Sequence, residues 1–85
     1  MSASADDLEA AVKRVNALSR TPGTSDMLDL YALYKQGTNG DAQGTRPGFG
    51  DLIGRAKYDA WANIKGTSRE AAMQQYVDLI DSLKE

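Results

Sequence analysis

The sequence predicts an all-α domain, a bundle of four helices with one long connection, and two observations carry that prediction. Apolar residues recur every three or four positions in four separate stretches, and no stretch shows the two-residue alternation of a half-buried strand. The chain-breaking residues fall largely between those stretches, at Pro22-Gly23, through residues 38–50, and at Gly66.

The first helix is expected from Ala5 to Ser19, with Ser4 as its cap and Asp6, Asp7 and Glu9 where the helix dipole favours anions. Leu8, Ala11, Val12, Val15 and Leu18 form its apolar stripe. The second is expected from a cap at Thr24 or Ser25 to about Gly37. Met27, Leu30, Tyr31 and Tyr34 form its stripe, and Leu28 and Leu33 widen it beyond what one packing face requires. Residues 38–50 hold four glycines and a proline, a loop of the length that compact domains use for function or leave disordered. Within it, Arg46-Pro47-Gly48 reads as a turn. Asp51 is placed to cap a third helix, Leu52 to Ile64, with Ile53, Ala56, Ala60 and Ile64 on one side and Gly66 beyond its end. Thr67-Ser68-Arg69-Glu70 has the spacing of a capping box. The fourth helix then runs to about Lys84, with Ala72, Met73, Tyr76, Val77, Ile80 and Leu83 at helical spacing. No internal repeat stands out.

Composition narrows the function classes. At 85 residues, 41% hydrophobic and 26% charged, the chain suits one small soluble domain with a modest core. It has no cysteine, so neither disulfides nor thiolate metal sites can hold it together. It has no histidine either, which removes the side chain best matched to proton transfer near neutral pH and the usual nucleophile–base dyads. A net charge of −2 without a long basic run argues against a general nucleic-acid binder but leaves room for a local cationic pocket. No apolar run approaches the ~20 residues that span a bilayer. The N-terminal Met1-Ser-Ala-Ser-Ala-Asp-Asp has neither a basic nor an apolar signal region, so a cytoplasmic location is expected.

The residues with most chemical content are Tyr31, Tyr34 and Lys35, which share one helical face. Two readings stand side by side. The rings are core residues with wet hydroxyls and the lysine a solvated charge, or a ring stacks on a flat base while the lysine meets a phosphate. Lys57 and Trp61, four apart, either form a cation–π pair or leave Lys57 for a phosphate. Tyr76 is either a core ring or a ligand donor. Met27 and Leu28 are either packing or a ligand groove. The glycines at 37, 40, 44, 48 and 50 write neither a P-loop nor a dinucleotide fingerprint.

Taken in order, Tyr31-Ala-Leu-Tyr34-Lys35-Gln36-Gly-Thr38-Asn-Gly40-Asp41, Arg46-Pro47-Gly48, Lys57-Tyr58-Asp59-Ala60-Trp61, Lys65-Gly66-Thr67-Ser68 and Glu70-Ala71-Ala72-Met73-Gln-Gln-Tyr76 resemble the acyl-coenzyme A binding protein family over nearly the whole chain. The resemblance implies a single domain over residues 1–85, an up-down-down-up four-helix bundle. It implies a non-enzymatic intracellular carrier of long-chain fatty acyl-CoA with no cofactor and no metal. It also implies that Tyr31, Tyr34, Lys35, Lys57 and Tyr76 bind the ligand. The lysines and Tyr31 would serve the 3′-phosphate and Tyr34 the adenine ring, with Met27 and Leu28 lining the acyl groove. Asn16 stands where many members carry a basic residue, Ile53 replaces a frequent lysine, and Tyr58 replaces a common tryptophan. Those departures bear on affinity rather than on ligand class. A monomer is expected, with neither nucleic acid nor stable membrane insertion among its associations. Two rival classes would behave differently: a helical interaction module would associate with a partner helix, and a small thioesterase would release free thiol.

Overall fold

The computed structural model describes residues 4–18 and 22–83 and contains four helices: α1 (Ala5–Asn16), α2 (Thr24–Asn39), α3 (Leu52–Ala62) and α4 (Arg69–Leu83). They form an up-down-down-up bundle. Helix α2 is its centre, packing on both α3 and α4, while α1 packs on α4.

Each start and stop has a local cause. Ser4 caps α1 as expected: its hydroxyl accepts the Asp7 N–H at 3.2 Å, and the Asp7 carboxylate accepts the Ser4 N–H at 3.0 Å. The helix stops at Asn16 rather than Ser19. The Ala17 N–H turns to the Arg14 and Val15 carbonyls and Leu18 to Val15, so the last turn tightens and leaves Leu18 outside the helix. Ser19 itself lies outside the described residues. At α2 the cap is Gly23, in extended backbone, with neither Thr24 nor Ser25 supplying a side-chain cap. The helix also outruns its expected end at Gly37. The left-handed residue that closes it is Gly40, at φ 83°, whose N–H reaches the Gln36 carbonyl at 3.1 Å.

Gly37 instead serves close approach. A Cβ there would lie 2.9 Å from Met73 Cγ on α4 and 3.6 Å from Leu8 Cδ2 on α1. Gly37→Ala gains up to ~1 kcal/mol of helix propensity but overpacks a three-helix contact, which typically costs ~1–3 kcal/mol. We expect a net loss of about 1 kcal/mol in urea unfolding, and a smaller loss when the same change is made in a Met73→Ala background.

Four expected details of the second half are corrected. The turn falls at Gly48–Asp51, where the Asp51 N–H reaches the Gly48 carbonyl at 3.1 Å, and not at Arg46-Pro47-Gly48. Asp51 does cap α3, accepting the Gly54 N–H at 2.9 Å, but α3 ends at Ala62 rather than Ile64. Successive three-residue bonds then lead to Gly66 at φ 92°. Trp61, and not Ile53, is the buried anchor of α3, for Ile53 is 72% exposed. The cap of α4 is Ser68, whose Oγ accepts the Ala71 N–H at 3.1 Å, and not Thr67 with Glu70. The Thr67 carbonyl is committed elsewhere, accepting Gln36 Nε2 at 2.7 Å. The far end of α4 is Leu83; Lys84 lies outside the described residues.

The core lies between α1, α2 and α4. Leu8, Ala11, Leu30, Leu33, Ala72, Tyr76 and Ile80 are buried together, with Val12, Val15, Ile64, Met73, Val77, Leu79 and Leu83 packed around them. On the outside, Arg14 meets Asp81 at 2.6 Å and links the C-terminal ends of α1 and α4, an exposed pair worth little.

The long α2–α3 connection is ordered by its bonds. Gln36 Nε2 donates to Asp41 Oδ1 at 2.8 Å, which also accepts the Gly66 N–H at 2.9 Å. Trp61 Nε1 donates to the Gly40 carbonyl at 2.8 Å and the Tyr58 hydroxyl to the Gly44 carbonyl at 3.1 Å. Arg46 grips both oxygens of Asp59 at 2.7 Å. One buried acceptor, Oε1 of Gln36, has no partner among the described residues.

The Gly66 N–H, reinforced by Gln36, holds the Asp41 carboxyl below its ordinary range, and the Arg46 guanidinium does the same for Asp59. A carboxyl depressed in the folded state contributes stability that is fully present above its unfolded pKa of ~3.9 and lost as pH falls through the folded value. Thermal melting should therefore decline as the pH drops below about 4. Asp41→Asn should melt lower at pH 7 and show a shallower acid decline, as read by circular dichroism.

Candidate functional site

A groove of about 280 Å³ opens where α1, α2, α3 and α4 converge. Helix α1 supplies Val12 and Val15, α2 supplies Met27, Leu30, Tyr31 and Tyr34, α3 supplies Lys57, and α4 supplies Tyr76. The pattern follows from helical spacing. Helix α1 packs on α4 and α2 packs on α3 and α4, so apolar residues of α1 and α2 are left facing the groove as its walls. Met27 and Tyr34 are left 44% and 41% exposed.

Three tyrosines give these walls their polar atoms. The Tyr34 and Tyr76 rings lie 6.3 Å apart with their planes tilted by 57°, a separation typical of interacting aromatic pairs. Burial, with Tyr34 adding a smaller push, raises the Tyr76 hydroxyl above its ordinary pKa, so it stays neutral and able to donate. The third ring, Tyr31, carries the Lys57 ammonium 5.4 Å from its centroid. Of the two readings open for Lys57, the pairing with Trp61 on its own helix gives way to a crossed arrangement. Lys57 of α3 lies over Tyr31 of α2, and Lys35 of α2 lies over Trp61 of α3, 5.0 Å from the ring. Packing between helices outweighs the i, i+4 contact because Trp61 turns inward to bond Gly40. Each ammonium is positioned over an aromatic face on the neighbouring helix.

The structure brings Tyr31, Tyr34, Lys57, Tyr76 and Met27 to this groove. Lys35 does not line it and sits beside Trp61 instead. Asn16, at the exposed end of α1, and Ile53, one turn before Lys57 on α3, also lie off its lining. Leu28 faces a different cavity, of about 430 Å³, with Ser25, Asp29, Ala32 and Leu33 of α2, Gln75 and Leu79 of α4, and Ala60, Asn63 and Ile64 at the end of α3 and just beyond. Although larger, that cavity has Asp29 and no cation in its lining, so it is the poorer place for an anionic ligand. Val12, Val15 and Leu30 are groove residues that stripe analysis assigns to the core. A signal exists for Leu30 alone, in the breadth of the α2 stripe; the α1 stripe that holds Val12 and Val15 has the width of one packing face. Among the described residues no cluster of three or more acidic side chains is arranged to hold a metal ion, and no helix is long and apolar enough to cross a membrane.

Fold and site together define an all-α domain built around an aromatic groove with a cation at its edge. The chain belongs to the acyl-CoA binding protein family, whose model, described as acyl CoA binding protein, matches residues 5–80. It is 45% identical over 75 residues to the acyl-CoA-binding protein of Saccharomyces cerevisiae, covering 88% of this chain and 86% of that one. It is 47% identical over 83 residues to human enoyl-CoA delta isomerase 2, covering 98% of this chain but spanning only 21% of the isomerase. Its fold is similar to the crystal structure of the acyl-CoA-binding protein of Moniliophthora perniciosa, with a TM-score of 0.89 and 36% identity over 98% of this chain and 82% of that one.

Proposed function

We propose that residues 1–85 act as a single domain that binds long-chain fatty acyl-CoA and carries it without turning it over. The observation that carries this reading is the meeting of Lys57 with Tyr31, Tyr34 and Tyr76 at the rim of an apolar-walled groove. The similarity to proteins named for acyl-CoA binding supports the ligand class.

The ligand has two unlike ends, and the groove offers a counterpart to each. Lys57, joined by Lys35 from its place over Trp61, meets the 3′-phosphate, with the Tyr31 hydroxyl adding a directional bond. Tyr34 stacks on the adenine and Tyr76 donates from the groove floor. Met27, with Val12 and Val15, receives acyl methylenes, each worth ~0.8 kcal/mol when taken from water. Asn16 and Ile53, which lie off the lining, are proposed to tune affinity from beside the groove, whereas Leu28, which lines the other cavity, is proposed only as a packing residue. Because head and tail are one molecule, the second contact is intramolecular and the whole binds far more tightly than either part. The chain works as a cytoplasmic monomer with no nucleic-acid partner and needs no cofactor.

Titration calorimetry with palmitoyl-CoA, coenzyme A and palmitate tests this. Palmitoyl-CoA should bind at least roughly 10²-fold more tightly than either fragment. Equal affinity for palmitate and its thioester would remove the head-group half of the reading. Free thiol appearing on incubation with palmitoyl-CoA would remove the carrier half.

A further inference from the structure

Lys57 owes its place over Tyr31 to the way α3 is held, and burial explains only part of that hold. Helix α3 packs mainly on α2, and Trp61 is its one buried residue. At about 100° per residue, Lys57 and Trp61 differ by only about 40° around the helix. Both therefore face α2, where Tyr31 and Lys35 meet them. A helix secured along one edge is free to roll about that edge, and a roll would carry Lys57 off Tyr31 and away from the groove.

The α2–α3 connection secures the other side. Beyond the Trp61 bond to Gly40, the Tyr58 hydroxyl donates to the Gly44 carbonyl at 3.1 Å, and Arg46 donates to both Asp59 oxygens at 2.7 Å. Tyr58 also stands edge-on to Trp61, with ring centroids 6.4 Å apart and planes at 71°. Going round the helix, Tyr58 lies about 60° from Trp61 and Asp59 about 160° from it. The Arg46 fork thus holds the side opposite the buried one, and the Tyr58 bond lies between. An exposed ion pair of this kind contributes little to folding. None of Arg46, Tyr58 and Asp59 lines the groove.

We propose that Tyr58, Asp59 and Arg46 are positioning residues: by strapping the loop along α3 they fix the roll of that helix and so aim the Lys57 ammonium at the ligand's 3′-phosphate. The inference rests on the ligand reading above, in which Lys57 meets that phosphate. A cation whose helix is already fixed when the ligand arrives loses less freedom on binding, and groups behind a binding side chain set how well it meets its target. The strap also gives Tyr58 a use of its own, because its hydroxyl makes the tie next in sequence to Lys57.

Titration calorimetry with palmitoyl-CoA and its 3′-dephospho analogue separates positioning from general loosening, because the analogue lacks the group that Lys57 meets. The unaltered chain should prefer palmitoyl-CoA. A Tyr58→Phe, Asp59→Asn double variant should lose roughly three- to tenfold in affinity for palmitoyl-CoA and nothing for the analogue, with its helical circular dichroism retained. In a Lys57→Met background the same two changes should cost nothing more, since no ammonium is left to aim. Arg46→Lys keeps the charge but not the two-pronged grip; it should reproduce the pattern at smaller size, and it stands in if the double variant unfolds. An equal loss for both ligands, a loss that persists with Lys57→Met, or no loss in any variant would overturn the proposal and leave the ligand reading standing. An unaltered chain that binds both ligands alike would instead strike the ligand reading itself, and the proposal with it.

Discussion

Lys57→Glu should weaken palmitoyl-CoA binding by roughly 10²-fold or more while leaving the helical circular dichroism spectrum unchanged. A charge-assisted hydrogen bond contributes ~1.5–3 kcal/mol, and reversing the charge adds repulsion where attraction stood. The folding side of the comparison is small. Lys57 is exposed, and its packing is confined to lying over the Tyr31 ring at 5.4 Å, a contact worth ~0.5–1 kcal/mol at such a site. The two effects therefore separate in one variant, by calorimetry and by thermal melting. Lys57→Met keeps most of the stem over Tyr31 and should lose the head-group contribution without the repulsion, giving an intermediate affinity. If Lys57→Glu melted many degrees lower and bound normally once cooled, the lysine would be structural and the groove would have lost its cation.

Trp61→Ala should be among the most damaging single changes to stability. Trp61 is 7% exposed and is the buried residue through which α3 anchors to the rest of the bundle. Truncating a buried tryptophan to alanine typically costs ~3–5 kcal/mol, a large share of the ~5–15 kcal/mol available to a small domain. The loss should be uneven. Trp61 also donates to the Gly40 carbonyl and lies beneath Lys35, so amide exchange in residues 40–44 and 52–62 should accelerate before the α1–α2–α4 core responds. Trp61→Phe keeps most of the buried ring but drops the indole N–H, and should cost about 1–2 kcal/mol. Urea unfolding measures both. A loss below about 1 kcal/mol for Trp61→Ala would mean that α3 is held by something other than this anchor.

The sequence made the helices legible because their apolar stripes are amphipathic at the 3.6-residue period: the stripes of α1 and α4 supply Leu8, Ala11, Ala72, Tyr76 and Ile80 to the core. Caps whose side chain has one nearby donor were legible too, as at Ser4 and Asp51. Legibility failed where a residue had two possible partners. Thr67 has the spacing of a cap, but its carbonyl is engaged by Gln36 from 31 residues away and the cap moves to Ser68. Gly37 reads as a helix end, yet it is a contact point for Met73. The Lys57–Trp61 spacing points to a pair, but Trp61 turns inward and each lysine finds an aromatic ring on the other helix. Long-range competition of this kind leaves no mark in local spacing. The candidate site divides along the same line. Tyr31, Tyr34, Met27, Lys57 and Tyr76 share one groove because their helices bring matching faces together, whereas Leu28 faces the other cavity although it adjoins Met27 in sequence.

Because the tyrosine groove and the cavity lined by Leu28 compete as places for the ligand, one measurement is decisive, a crystal structure of the chain grown with palmitoyl-CoA. The account predicts adenine density against Tyr34, phosphate density within hydrogen-bonding distance of Lys57, and acyl density along Met27, Val12 and Val15. Ordered ligand in the cavity of Leu28, Ala32 and Leu79, with the tyrosine groove empty, would contradict it.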